Sequence, residues 1–380
     1  MGEKKIRILH VAQAAGGVDR YIRMLLKYLD KDKFENILVC SQDFNKEDYG
    51  GLADALEQIK MVRTIGKNDL KAIGKVRKLI KKYNPDIVYA HSSKAGAIAR
   101  VANMGLKSKC VYNPHGWAFN MRCSEKKKKM YTAIEKMAAP FCVKIICISE
   151  AEKQSALEKK ICKEEKLQVI FNGVDIEAYE NGVHGKIKRA DLNIPEDAFV
   201  VGMVGRMSPQ KAPDVFVKMA KLVKDKILNA HFIIVGNGEQ EKELRKYAKD
   251  NGFFDSLHIT GWVDDPMSYV EIFDIACLLS RWEGFGLALP EYMIAGRPIV
   301  ATKVDAIPNI IRDGENGLLV DVDDAVGASE AVLRIYQEDG LKGRLVTQGL
   351  KDVHNRFNAR RVSKEHGILF ENILKVRKQF

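Results

Sequence analysis

The sequence predicts an α/β protein built as two Rossmann-like, doubly wound domains facing each other across a cleft. Three observations carry this expectation. Short β-branched runs alternate with helix-length amphipathic segments from one end of the chain to the other, the pattern of parallel strands covered by helices on both faces. The runs are too many for one sheet, and a polar, Gly-containing stretch at 181–189 divides them into two sets of about six. The chain also has 380 residues, more than one hydrophobic core usually serves.

In order, the first set of strands is expected at 6–12, 37–41, 86–91, 110–113, 144–149 and 168–171. The second is expected at 199–204, 231–235, 257–260, 275–279, 298–302 and 317–320. The domains therefore run from 1 to 185 and from 186 to 357. The tail from 358 to 380 is helical and without a strand, and is expected to pack back on the first domain. No short-period repeat or low-complexity segment interrupts this order.

With 46% apolar and 29% charged residues, the composition is that of a soluble globular protein. No apolar run approaches the roughly 20 residues that span a bilayer. The start lacks a signal-peptide pattern, and Ile6 stands where a myristoylation motif on Gly2 needs Ser or Thr. Seven scattered cysteines, none in a C-x-x-C pair, suit buried free thiols in a reducing, cytoplasmic compartment. The net charge of +12 is unevenly spread: residues 1–180 carry +12 and residues 181–380 carry 0, with +13 in 51–140 alone. A basic first half points to an anionic partner: a membrane surface, a phosphorylated acceptor or nucleic acid.

Ligands of open α/β sheets bind beyond the carboxyl ends of the strands, so the loops there are the candidate sites. After the first strand, Gly16 and Gly17 open a helix; they let backbone approach a ligand and offer unpaired N–H groups to an anion, although Gly-Gly is also a common structural turn. The run is not G-x-G-x-x-G, which speaks against a nicotinamide cofactor. His115, flanked by Pro114 and Gly116, can donate into a cleft or serve the core. Arg206 and Lys211 flank a turn after the first strand of the second domain; a planar fork and a point charge suit a diphosphate, and solvated surface charge is the alternative. Lys211 is expected to be an exposed turn residue that adds little to the fold. Gly236 and Gly238 follow the next strand. Glu283 and Glu291, with Gly284, Phe285, Gly286 and Leu287 between them, fit one carboxylate on a loop and one on the first turns of the helix that follows. Carboxylates hold vicinal sugar hydroxyls, and backbone N–H groups hold phosphate.

The E-x7-E run from Glu283 to Glu291 resembles the signature of retaining glycosyltransferases of sequence family 4, which have the GT-B fold. The resemblance covers nearly the whole chain and recurs in order: Gly16-Gly17-x-x-Arg20, His115-Gly116, Asn172-Gly173-Val174-Asp175, Gly205-Arg206 with Lys211, Gly236-x-Gly238, then the two acids. It is greatest with bacterial enzymes of capsular, exopolysaccharide and related surface-glycan assembly. The resemblance implies that Arg206 and Lys211 neutralise the nucleotide diphosphate, Glu291 holds the ribose and Glu283 contacts the donor sugar. It further implies that Gly16 and Gly17 let the first domain close on the phosphates, that His115 reaches the sugar, and that backbone near Val263 faces the base. Two departures stand out. Asp305-Ala306-Ile307-Pro308-Asn309 replaces the Gly-Gly-x-Pro-Glu common in the family, and Ala212-Pro213 follows Lys211 in place of the usual Gly.

A nucleoside diphosphate leaving group needs its developing charge stabilised, and Arg206, Lys211 and helix N-terminal amides supply this without a metal or other cofactor. Asp264-Asp265 and Asp323-Asp324 are expected on surface loops rather than at a metal. The expected activity is retaining transfer from a nucleotide sugar, preferably a UDP-sugar, to a saccharide or polyprenyl-diphosphate-linked acceptor at the inner face of the cell membrane. A nucleotide-sugar epimerase or a catalytically silent binding module are the alternatives. The lysines of 68–82, set against Leu70, Ile73, Val76, Leu79 and Ile80, and the cluster Arg122 with 126–129, suit an anionic lipid surface. They suit nucleic acid less, because no aromatic stacking module accompanies them.

Overall fold

The computed structural model describes residues 4–13, 15–62, 66, 68–121 and 123–375. Gly2, Ala14, Arg122 and the last five positions of the expected C-terminal helix lie outside the described residues. The strands are β1 (Ile6–Ala12), β2 (Phe34–Cys40), β3 (Ala55–Gln58), β4 (Ile87–His91), β5 (Lys109–Asn113), β6 (Lys144–Cys147) and β7 (Leu167–Val169). They continue with β8 (Phe199–Val204), β9 (Ala230–Val235), β10 (Leu257–Ile259), β11 (Ile275–Leu278), β12 (Ile299–Thr302) and β13 (Leu318–Val320). Among the described residues they form two sheets, in the orders β3-β2-β1-β4-β5-β6-β7 and β10-β9-β8-β11-β12-β13. Every strand pair is parallel. The order reverses between β1 and β4 in one sheet and between β8 and β11 in the other, and such switch points open the crevices in which doubly wound sheets hold ligands.

Twelve of these strands coincide with the expected runs to within a few residues, and β3 does not. Its sequence, Ala-Leu-Glu-Gln, consists of helix-favouring residues, and only its pairing along β2 holds it extended at the sheet edge. The central strands are apolar on both faces because helices cover both. Leu9, Val11, Ile37, Val39, Val88 and Ala90 pack on one side, and Ile8, Leu38, Ile87 and Tyr89 on the other. The helix Asn68–Tyr83 shows how a cover helix is specified: Ala72, Val76 and Ile80 are buried at spacing four while Lys71, Lys75, Lys78, Lys81 and Lys82 face solvent. Leu70, expected on the apolar stripe, is instead 74% exposed.

The chain forms two compact units: unit 1 takes the residues up to Gly173 and those from Asn358, and unit 2 runs from Val174 to Phe357. The division falls about a dozen residues before 185. Segment 174–185 stays with unit 2 because Val174 N donates to Phe357 O (2.8 Å) and Glu271 takes bonds from His184 (2.5 Å) and the Gly185 amide (2.8 Å). The helix Ala359–Lys375 belongs to unit 1: Ser363 Oγ donates to Leu25 O (3.2 Å), and Phe370 packs on Phe34 and Tyr89. With the units so divided, unit 1 carries a formal charge of +19 and unit 2 of −7. No helix among the described residues is long and apolar enough to cross a membrane.

Candidate active site

The expected site residues fall in both units, and each unit is described by itself. In unit 2 the loops after β8, β9 and β10 interlock. Gly205 N donates to Val235 O (3.0 Å), Met207 N donates to Asn237 O (2.8 Å), and Gly236 bridges Gly261. The approach is so close that a Cβ on Gly236 would lie 2.2 Å from Gly205 O, and one on Gly238 2.2 Å from Met207 O. The two glycines are therefore set by backbone contact, which is the structural alternative for a G-x-G turn. Gly261 carries a positive φ of 73° and leads to half-buried Val263.

The turn after β8 ends on Ala212, whose φ of 49° lies in the left-handed region, so the chain keeps there the conformation that the usual Gly would favour. Pro213 then starts a helix (Pro213–Lys224), at the position where a missing N–H costs nothing. This turn aims Lys211 inward. Its side chain is 20% exposed, its stem packs on Gly205, and its Nζ forms an ion pair with Glu283 Oε2. Lys211 is thus not the exposed turn residue expected. Arg206 is: its side chain is 69% exposed and pairs at 3.5 Å with Glu239.

Glu283 is fixed from three sides. Lys211 holds Oε2, Ser280 Oγ donates to the same atom (3.3 Å), and the Glu283 amide donates to Asp305 Oδ2 (2.9 Å). Asp305 occupies a left-handed conformation (φ 46°) at the place of a family glycine. Burial, followed by the charge of Glu283, pushes its carboxyl upward. Gly286 turns the chain at φ 84°, which brings Phe285 into the core against Phe357 and starts the helix Ala288–Ile294 just after half-buried Leu287. Glu291 lies buried in the first turn of that helix. Its neighbour Tyr292 accepts from Val204 N (2.7 Å) and so ties the helix to the end of β8. Lys211, Glu283 and Asp305 are therefore brought together, whereas Arg206 and Glu291 make other contacts. Asp323 pairs with Arg281 (2.5 Å), Asp324 caps a helix through Gly327 N (2.8 Å) and Asp265 pairs with Lys186 (2.7 Å).

In unit 1, Gly16 (φ 96°) and Gly17 are exposed and start the helix Gly17–Tyr28. His115 lies two residues past β5, with a left-handed φ of 52°. Its amide donates to Asn113 Oδ1 (2.9 Å), and the Gly116 amide donates to Glu152 Oε1 (2.7 Å). Glu152 is buried and also accepts from Ile148 N (2.6 Å); burial pushes its carboxyl up to about 7 in spite of both bonds. The His115 ring stands edge-on to Tyr21 and bonds through Nε2 to His91 Nδ1 (3.1 Å). His91 closes a strand, where the run His91-Ser92-Ser93-Lys94 marks a candidate loop, but Glu152 carries no motif, and no spacing in the sequence pairs either with the loop they hold.

Relatives decide what this arrangement belongs to. The model described as "Glycosyltransferase Family 4" matches residues 15–178, and the model "Glycosyl transferases group 1" matches residues 185–352. The UDP-Gal:alpha-D-GlcNAc-diphosphoundecaprenol alpha-1,3-galactosyltransferase of Escherichia coli is 30% identical over 346 residues, which cover 88% of this chain and 89% of the relative. The chain belongs to the group 1 and family 4 glycosyltransferases. The capsular polysaccharide biosynthesis glycosyltransferase CapM of Staphylococcus aureus is 24% identical to this glycosyltransferase and covers 98% of both chains. Among solved structures, Anabaena HepE in complex with UDP superposes with a TM-score of 0.82 at 20% identity, over 97% of this chain and 100% of that one. The two-sheet architecture of this glycosyltransferase is accordingly the GT-B fold, and an epimerase or a silent binding module gives way to a transferase.

Proposed function

We propose that this glycosyltransferase moves a hexosyl or N-acetylhexosaminyl group from a UDP-sugar to a polyprenyl-diphosphate-linked saccharide, with retention at the anomeric carbon, in surface-glycan assembly. The observation that carries the proposal is the Lys211–Glu283 pair, a cation and a carboxylate held side by side at the carboxyl edge of the second sheet. Lys211, with Arg206 on the same turn, neutralises the diphosphate; Glu283 accepts hydrogen bonds from the donor sugar, and Glu291 from the ribose. Gly284 to Leu287 supply backbone to the same ligand, and the loop at Val263 faces the base. His115 contacts a hydroxyl of the transferred sugar. The UDP of the HepE complex and the diphosphoundecaprenol substrate in the name of the E. coli relative support the choice of donor and acceptor.

In the transfer, the bond from the anomeric carbon to the diphosphate oxygen breaks and the bond to the acceptor oxygen forms on the same face. The acceptor proton passes to the departing phosphate oxygen, and the two cations hold the charge left on the diphosphate. The proposed setting is the cytoplasmic face of the cell membrane, with peripheral attachment through unit 1.

A panel of UDP- and GDP-sugars, offered with polyprenyl-diphosphate N-acetylglucosamine, tests this by product mass and anomeric configuration. A UDP-sugar should give one added hexose or N-acetylhexosamine with the donor's configuration, undiminished by a chelator. An inverted product, or donor binding abolished by chelation, would overturn the retaining or the metal-independent part respectively.

A further inference from the structure

Behind His115 runs a line of buried polar side chains that the transfer chemistry does not use. Asn36, His10 and His91 stand on the adjacent strands β2, β1 and β4. The parallel register pairs Ile8 with Asn36, His10 with Tyr89 and His91 with Asn113. Each member of the line is thus one strand over and two residues farther along than the last, and His115, two past Asn113, continues the diagonal. Equal steps of two keep Asn36, His10 and His91 on one face of the sheet, and the turn after β5 carries His115 up to the end of the line. The contacts are continuous: Asn36 Oδ1 to His10 Nε2 (3.1 Å), His10 Nδ1 to His91 Nε2 (3.2 Å), and His91 Nδ1 to His115 Nε2 (3.1 Å). Asn36, His10 and His91 are fully or almost fully buried. Among the described residues none bonds to Nδ1 of His115, and the residue is half-buried where Asn36, His10 and His91 are not exposed at all or barely so.

A neutral imidazole donates from one nitrogen and accepts at the other, so a chain of them has a single direction. The Asn36 carbonyl oxygen only accepts, so His10 donates from Nε2 and leaves Nδ1 bare. His91 must then donate from Nε2 to His10, and His115 from Nε2 to His91. We propose that Asn36, His10 and His91 are positioning residues that lock His115 as the Nε2–H tautomer, so that its bare Nδ1 accepts a hydrogen bond from a hydroxyl of the donor sugar. The ligand clause rests on the proposed role of His115; the tautomer lock does not.

The chain is no proton wire. Asn36 cannot take up a proton at the inner end, and burial lowers His10 to about 4 and His115 to about 3. His115 therefore meets its ligand neutral, as an acceptor and not as a general base. A second chain holds the His115 backbone. The Val362 carbonyl takes the Nδ1 proton of His366 (2.7 Å), whose Nε2 accepts from the Tyr21 hydroxyl (2.7 Å). Tyr89 bonds to Tyr21 (3.0 Å), and Asn113 donates to Tyr89 (3.3 Å) while accepting the His115 amide. The two chains also pack on each other, Tyr21 against the His115 ring and Tyr89 against that of His91, so ring and backbone are held by one connected set of side chains.

The test is nitrogen NMR on the full-length, histidine-labelled protein, with calorimetric titration by UDP-galactose, UDP-glucose and UDP. In the wild type, His115 should show a bare Nδ1 and a protonated Nε2 between about pH 6 and 8. In Asn36→Leu, which leaves the three rings but removes the terminal acceptor, the His115 tautomers should mix. The Kd of the preferred UDP-sugar should then rise about three- to tenfold, the equivalent of one neutral hydrogen bond, while that of UDP stays put. A proton on Nδ1 in the wild type overturns the lock even if the variant fails to fold, and so does an unchanged tautomer in a folded variant. Equal losses for UDP and UDP-sugar overturn the sugar contact. If His115→Ala leaves UDP-sugar binding and transfer intact, the proposed role of His115 fails, and the wild-type spectrum still judges the lock.

Discussion

Lys211 and Glu283 neutralise each other at the carboxyl edge of the second sheet, so a diphosphate bound there as proposed would have to share or displace this pair. Both side chains are mostly out of water, at 20% and 11% exposure, and removing one strands the other. Lys211→Ala should therefore lower transfer on the order of a hundredfold, the loss of one charge-stabilising group. It should also cost about 1–3 kcal/mol of stability through the unpaired carboxylate. Lys211→Ala with Glu283→Gln should recover most of that stability and none of the turnover. Denaturant melts beside kcat/KM measure both, and a single variant with wild-type turnover would remove Lys211 from the site. At this scale the sequence was partly legible. The types and spacing of Arg206, Lys211, Glu283 and Glu291 are those that the proposed diphosphate and sugar site would need, cations and carboxylates near glycine-rich backbone, and the fold brings two of them, Lys211 and Glu283, together. Which of them touch was not legible, since the contact depends on the left-handed turn at Ala212. Asp305 was read only as a departure, yet its carboxylate holds the Glu283 amide, a bond that a glycine there could not make.

The loop after β5 is an element built by its neighbours. Asn113 takes the amide of His115, Glu152 takes that of Gly116, and the Glu152 carbonyl takes the indole N–H of Trp117 (2.9 Å). Hence two positive φ values in succession, at His115 and Gly116, are held from outside the loop. Strands with β-branched runs announced themselves, but β3 did not, because its extended form comes from β2 and not from its own residues. The diagonal from Asn36 to His115 was invisible for a related reason: residues far apart in sequence meet only once the parallel register is known. Glu152 gives this element a pH signature. Its carboxyl is raised from about 4.5 to about 7 by burial, so the folded state binds a proton there that the unfolded state has released. The stabilisation this adds is present in full below about pH 4.5 and is lost as pH rises through 7. Stability should thus fall by roughly 3 kcal/mol across that window from this group alone, and Glu152→Gln should flatten the fall. Denaturant titrations of both proteins at about pH 5 and 7.5 check it; equal slopes would mean that Glu152 does not titrate there.

On the scale of the whole molecule, charge divides with the fold, +19 in unit 1 against −7 in unit 2. Such a division serves no folding purpose, since like charges gathered in one unit repel one another. The helix Glu125–Ala138 gives the surplus a shape. It buries little beyond Glu135 and exposes Lys126, Lys127, Lys129 and Lys136 beside Met130 and Met137, which are 43% and 67% exposed. Phe141, just past its end, is also exposed. Lysines that reach outward beside exposed apolar side chains suit a surface with an anionic skin and an oily interior. Co-sedimentation should therefore show binding to vesicles containing phosphatidylglycerol and little to neutral ones. Binding should weaken as salt shortens the screening length from about 10 Å at 0.1 M to about 3 Å at 1 M. Replacing Lys126, Lys127 and Lys129 together with Ser should remove about 3 kcal/mol, at about 1 kcal/mol for each basic group at the surface, and so weaken binding by about a hundredfold. Transfer to a short water-soluble acceptor should survive the change, because the three lysines lie outside the residues proposed to bind the donor. Binding that ignores salt and lipid charge, or no binding at all, would leave these lysines as a solvated face and remove the membrane from the proposal without touching the transferase.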